Sequence, residues 1–309
     1  MKKEPVNVFI ATTPRSGSTL LGMILDQHKD VYHAGESFFW GKLKSDKASC
    51  PCNQKPCLIL KQIENEIKLQ NLDVEGLFNT CSMCSQPQCL RNSYVHLSIP
   101  DFNVVYSNDN WNNLDKKINL SCQTLTQLAK IFRKTTKKDI IVDNTKVIQI
   151  GEKLLKDYDW KIILLTRDAR GTLNSNKNLA IRKKRPIQIN LWVEYYKQFA
   201  RHAIKLIQEN ENNFFWVKYE DLCCNPQKTI RDTCDFIGIE PNDEMINFKK
   251  QKGHTIMGNR MRFDQNNNYL TQDLSWTYGL DDTELKLILQ DTELINLYGQ
   301  LGYNIKRNG

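Results

Sequence analysis

The chain has 309 residues, 40% of them hydrophobic and 25% charged, enough for one large domain or two modest ones with a full core. Its formal net charge is +8, but Lys and Arg are spread beside many Asp and Glu and form no basic tail. Nucleic acid is therefore not the expected partner, and a pocket for a polyanionic small molecule accounts for the excess. No run of about 18 apolar residues occurs, so no membrane span is predicted. The apolar stretch within "MKKEPVNVFI" is too short for a secretory signal, and a cytoplasmic protein is expected.

In chain order, "VNVFIATT" reads as a buried strand, rich in Val and Ile and ending in polar residues. A polar loop follows, then a helix with Leu20, Leu21, Ile24 and Leu25 on one face. From Gly41 to Asn119 the rhythm breaks: Asn, Ser and cysteine clusters surround one good helix, "LILKQIENEIKL". This stretch reads as a Cys-rich insertion or cap over the site, within a single domain spanning residues 1–309. "DIIVDNT", "WKIILLTRD" and "FFWVKYEDL" are three further strands, with a short helix at "GEKLLKDY" and a long amphipathic one from Ile187 to about Gln208. "NPQKTIRDTCDFIGI" opens on an Asn cap and a Pro and runs to a Gly stop. "FDQNNNYLTQD" is a polar, turn-rich loop, and "DTELKLILQDTELINLYGQLGY" makes one or two surface helices. Strands alternating with helices predict an α/β fold, a P-loop-type central parallel sheet flanked by helices. Functional groups in such folds collect at the carboxyl ends of the strands. That rule gathers Arg15, Asn144 to Lys146, Arg167 and Tyr219 at one rim.

The first loop, Thr12-Thr13-Pro14-Arg15-Ser16-Gly17-Ser18-Thr19, aims backbone N–H groups and a positive helix end at one anion. Gly17 allows close approach, and Ser16, Ser18 and Thr19 add hydroxyl donors. A nucleotide-hydrolysing loop would carry GxxxxGK[ST]; here Ser18 stands in the lysine's place and the first glycine is absent. Positive charge comes from Arg15 instead. In "LLTRDARGTLNSNKN", Arg167 ends a strand and Ser175 follows one or two helical turns later, a pair suited to a second phosphate. A simple pairing of Arg167 with Asp168 is the structural alternative.

Ten cysteines are many, and six lie in two clusters, Cys50, Cys52, Cys57 and Cys81, Cys84, Cys89. Four of the six would complete a tetrahedral zinc site, but the spacing is irregular for a finger or ribbon. Disulfides and free thiols are equally compatible with it, so no ligands are assigned.

The series "PRSGSTLL", "HAGES", "VDNTK", "TRDARGTLNS", "VKYEDLCCNP" and "GHTIMGNR" resembles, in order, sulfotransferases that use 3′-phosphoadenosine 5′-phosphosulfate. The carbohydrate and tyrosylprotein branch and its bacterial relatives are the most similar, from Phe9 to about Tyr278. The resemblance implies that Pro14 to Thr19 surround the 5′-phosphosulfate and that Arg167 and Ser175 hold the 3′-phosphate. It also implies that Tyr219 lies near the nucleotide and that Gly258, Asn259 and Arg260 close on the donor. The last segment departs from the lysine-glycine motif of cytosolic members. "CPCNQKPC" is similar to a cysteine-rich element of some bacterial members.

Sulfuryl transfer needs a base for the acceptor hydroxyl and cations for the leaving oxygen. Glu36 in "YHAGES" is the expected base, aligned with the catalytic glutamate of the tyrosylprotein branch, with His33 and His28 as runners-up. Lys146 and Arg15 are expected at the leaving oxygen, without a metal in the reaction. The expected acceptor is a hydroxyl on a carbohydrate, lipid, small metabolite or tyrosine. A small-molecule kinase is a competing reading, opposed by the missing loop lysine; a non-catalytic nucleotide-binding interaction protein is another.

Overall fold

The structure is a computed structural model that describes residues 4–41, 44–74, 108–184, 186–187, 189–209, 212–264 and 269–305. Five parallel strands form one sheet in the order β2-β3-β1-β4-β5. They are β1 (Val6–Thr12), β2 (Val31–Gly35), β3 (Ile140–Lys146), β4 (Lys161–Thr166) and β5 (Phe214–Lys218). The apolar runs are continuous because both faces are covered. Alternate residues divide between two cores: Phe9, Ala11, Ile141, Ile162 and Leu164 face one side, and Val8, Ile10, Val142, Ile163 and Leu165 the other. This arrangement is the α/β parallel-sheet fold expected from the alternating pattern.

The helices are α1 (Ser18–Leu25), α2 (Leu58–Leu69), α3 (Asn108–Thr136), α4 (Ile148–Asp157), α5 (Ala169–Arg182) and α6 (Ile189–Glu209). They continue with α7 (Tyr219–Cys224), α8 (Pro226–Ile237), α9 (Trp276–Gly279), α10 (Asp282–Leu289) and α11 (Thr292–Gln300). The helix expected at "LILKQIENEIKL" is α2, and it sinks Leu60, Ile63 and Ile67 into the core. α8 begins on Pro226 and stops at Gly238, whose φ of 88° is the left-handed value a Gly stop uses; Asn225, however, makes no side-chain capping bond.

Several elements differ from the sequence expectation. β2 was not foreseen, because "VYHAG" holds a His and a Gly and its burial comes from α1 and β3 packing on it. The last predicted strand ends at Lys218, and "YEDL" turns into α7. α3 begins inside the stretch read as irregular; the buried positions Cys122, Leu125, Leu128, Ala129 and Phe132 recur at helical spacing in its second half. The C-terminal helices are less superficial than their sequence suggests, since α11 buries Leu294 and Tyr298 against α6. Cys81, Cys84 and Cys89 lie outside the described residues. Among the described residues no helix is long and apolar enough to cross a membrane.

Leu164 in β4 is fully buried, whereas Leu69 at the end of α2 is exposed. Leu164→Ala is expected to cost about 2–5 kcal/mol of unfolding free energy in urea titrations. Leu69→Ala should stay within about 0.5 kcal/mol.

Candidate active site

β1 is the central strand; the chain leaves it for β2 and β3 on one side and then passes to β4 and β5 on the other, so its carboxyl end is a topological switch point. The loop Thr13–Gly17 fills this point and turns directly into α1. Arg15 (φ 72°) and Gly17 (φ 95°) both take left-handed conformations. Only glycine suits position 17 twice over, because a Cβ there would sit 2.6 Å from the Tyr219 ring. The first turn of α1 has no side-chain cap, and a helix start of this kind can receive an anion. Pro14, Ser16, Ser18 and Thr19 are buried around it.

Two arginines converge on this loop. Arg15 Nε donates to Ser175 Oγ of α5 at 2.9 Å. Arg167 Nη1 donates to the Arg15 carbonyl at 2.9 Å, and its guanidinium lies over the Tyr219 ring, 4.3 Å from the centroid. Asp168 does not pair with Arg167; it caps α5 and binds Arg170 instead. Arg167 Nη2 reaches Asp273 Oδ2 at 3.0 Å, and the Asp273 N–H donates to the Tyr219 hydroxyl at 3.1 Å. Burial, with Arg182 and Arg167 nearby, pushes the Arg15 pKa down; Glu36 and Asp273 offset this only in part. The loop is a concentration of buried positive charge.

A second group lies at the ends of β2 and β3. Glu36 and Lys146 are both buried and form an ion pair through Glu36 Oε1. Glu36 Oε2 has no hydrogen-bond partner among the described residues. Lys146 has φ 84° at the end of its strand, beside Asn144, which is fully buried. His33 is packed under α1 against Gly22, and burial pushes its pKa down to about 3. His28 accepts from the Asp30 N–H at 3.2 Å near the end of α1.

A third segment, 253–263, closes over α1. The Asn259 N–H donates to Thr19 Oγ1 at 3.1 Å, and a Cβ on Gly258 would meet Thr19 at 3.4 Å. Arg260 is exposed. Arg262 is the buried arginine, donating to the Thr255 carbonyl at 2.7 Å and close enough to Glu36 to feel its charge.

The fold thus joins Arg15, Ser175, Arg167 and Tyr219 in one contact set, Glu36 with Lys146 in another, and Gly258 and Asn259 to the loop helix. Arg262 and Asp273 were not among the sequence candidates. Arg262 lies two residues beyond Arg260, and only the turn of a 3₁₀ segment (Arg260–Phe263) decides which arginine is buried. Asp273 sits in a polar stretch with no local pattern.

A parallel sheet with a strand–loop–helix turn at its central strand, and two guanidiniums meeting at that loop, defines a P-loop-type α/β protein. The family model described as Sulfotransferase family matches residues 5–243, and the chain belongs to that family. No curated protein matches the chain significantly. The chain is similar in structure to the sulfotransferase domain from the curacin biosynthetic pathway, with 15% identity, a TM-score of 0.52, and 98% of this chain and 99% of that chain covered. It is also similar to the sulfotransferase domain from the Synechococcus PCC 7002 olefin synthase (18% identity, TM-score 0.48, 98% and 96% covered). Mouse sulfotransferase SULT7A1, complexed with PAP, is a third (10% identity, TM-score 0.43, 98% and 90% covered).

The Glu36–Lys146 pair is buried on both sides, so removing one partner strands the other charge. Lys146→Met is expected to cost about 3–5 kcal/mol. The Glu36→Gln/Lys146→Met double variant should lose less than the sum of the single changes in a urea double-mutant cycle.

Proposed function

We propose that the protein moves the sulfuryl group of 3′-phosphoadenosine 5′-phosphosulfate to a hydroxyl on a carbohydrate, lipid, small metabolite or tyrosine. The observation that carries this reading is the crowding of Arg15 and Arg167 around Ser175 and the Gly17 loop. Two guanidiniums brought together at a helix N-terminus are relieved by an anion, and the spread of donors suits a ligand with two separate phosphate positions. Pro14 to Thr19 would hold the 5′-phosphosulfate, and Arg167 with Ser175 the 3′-phosphate. Tyr219 would lie beside the nucleotide, and Gly258, Asn259 and Arg260 would belong to the closing segment. The Asp273 carboxylate pairs with Arg167 and would give way to the phosphate.

In the transfer, the acceptor oxygen forms its bond to sulfur as the bond from sulfur to the 5′-phosphate oxygen breaks. Glu36 takes the acceptor's proton through Oε2, the carboxylate oxygen left without a partner. Arg15 and Lys146 neutralise the charge that develops on the departing phosphate oxygen. Lys146 already touches Glu36, so base and electrophile share one buried corner and the acceptor needs only to enter between them and the loop.

Turnover is the first test. Glu36→Gln should lose roughly 10²–10⁴-fold in kcat while binding of 3′-phosphoadenosine 5′-phosphate stays near wild type; retained turnover reassigns the base. Calorimetry is the second. Arg167→Ala should weaken binding of the 3′,5′-bisphosphate far more than that of the 5′-monophosphate, and equal losses would remove Arg167 from the 3′-phosphate. Tighter binding of ATP with magnesium than of the bisphosphate would favour a kinase instead.

A further inference from the structure

Cys50, Cys52 and Cys57 meet His254, more than 190 residues away in sequence, in one cluster whose four ligand atoms all lie within 4.8 Å of one another. His254 Nδ1 is 3.3 Å from Cys57 Sγ and 3.8 Å from Cys50 Sγ. Ligands bound tetrahedrally to zinc at about 2.0–2.3 Å stand roughly 3.5–3.8 Å apart, so a small inward movement closes the set. We propose that these four side chains bind one structural zinc ion. Three thiolates and an imidazole select zinc over magnesium or calcium, and four protein ligands leave no open position for catalysis. Binding forms three Zn–S bonds and one Zn–N bond and releases the thiol protons to solvent.

The local structure presents the ligands. A turn closed by the Asn53 N–H on the Cys50 carbonyl at 3.0 Å, with Asn53 at φ 62°, puts Cys50 and Cys52 on one side. Cys57 is the N-cap residue of α2, so its backbone is fixed by the start of that helix. The His254 carbonyl accepts from the Tyr32 hydroxyl at 2.7 Å, which fixes the backbone that carries the imidazole. Gly253 is held beside Asp26, where a Cβ would sit 2.4 Å from the carboxylate. The described cysteines are all free thiols.

The ion would tie two distant parts of the chain together at the candidate active site. From His254 the chain runs to Met257, whose carbonyl lies 2.6 Å from where a Cβ on Gly35 would stand, next to Glu36. It then reaches Asn259 on Thr19 and the buried Arg262, which is close enough to feel the charge of Glu36. A metal at His254 would therefore fix the wall that closes over the loop helix. This assignment does not depend on which reaction the site performs.

The test is metal analysis of untagged protein purified under reducing conditions without chelator. One zinc per chain is expected, retained in a Cys81→Ser/Cys84→Ser/Cys89→Ser variant and lost in Cys57→Ser and in His254→Ala. Cobalt-substituted wild-type protein should show tetrahedral d–d bands and thiolate charge transfer, a readout that holds if a single variant fails to fold. Chelator should lower the melting temperature, and added zinc should restore it. Zinc well below one equivalent after reconstitution would overturn the proposal. So would zinc that survives Cys57→Ser but leaves with Cys81, Cys84 and Cys89, or a disulfide between Cys50 and Cys57 in protein trapped with a thiol blocker.

Discussion

The architecture of the site follows from one electrostatic constraint, the juxtaposition of Arg15 and Arg167 on a loop that is itself the positive end of a helix. Arg167 holds the Arg15 carbonyl and Arg15 holds Ser175, so two like charges are locked to the same short segment. Their mutual repulsion is tolerated because Asp273, Glu36 and the Tyr219 ring face them.

The sheet makes that juxtaposition possible. With β1 central, the Gly17 loop is flanked by the ends of β3, which brings Lys146, and β4, which brings Arg167. Tyr219 arrives from the next strand, where β5 stops and α7 starts, and its ring fills the space that the missing side chain of Gly17 leaves. β2 at the far edge carries Glu36 off its end to Lys146. Glu36, Lys146, Arg167, Tyr219 and the Gly17 loop thus all lie at or just after strand ends, and the parallel register puts them on one rim.

A second set of constraints comes from the segment after β5 and α8. It returns across the loop helix and meets the Cys50–Cys57 turn at His254, so the wall of the site is built from chain parts that share no sheet hydrogen bonds. Each of these connections uses a side chain on at least one side. The charged pair Glu36–Lys146 lies buried beneath this wall with Arg262 near it, and burial strengthens the electrostatics of the pair.

Much of this was legible in the sequence. The apolar runs of β1, β3, β4 and β5 mark a covered parallel sheet, because strands buried on both faces must be continuously apolar. The placing of Arg15, Asn144 to Lys146, Arg167 and Tyr219 at strand ends followed from that sheet. β2 was not legible, since "VYHAG" owes its burial to neighbours rather than to its own pattern, and neither was the first half of α3, whose residues are mostly polar. Local sequence determined which residues are strands, loops and caps, because periodicity and backbone preference act over a few residues. Only the tertiary structure decided that Lys146 meets Glu36, that Arg262 rather than Arg260 is buried, and that His254 joins Cys50, Cys52 and Cys57, because such pairings depend on distances between segments that no local pattern encodes.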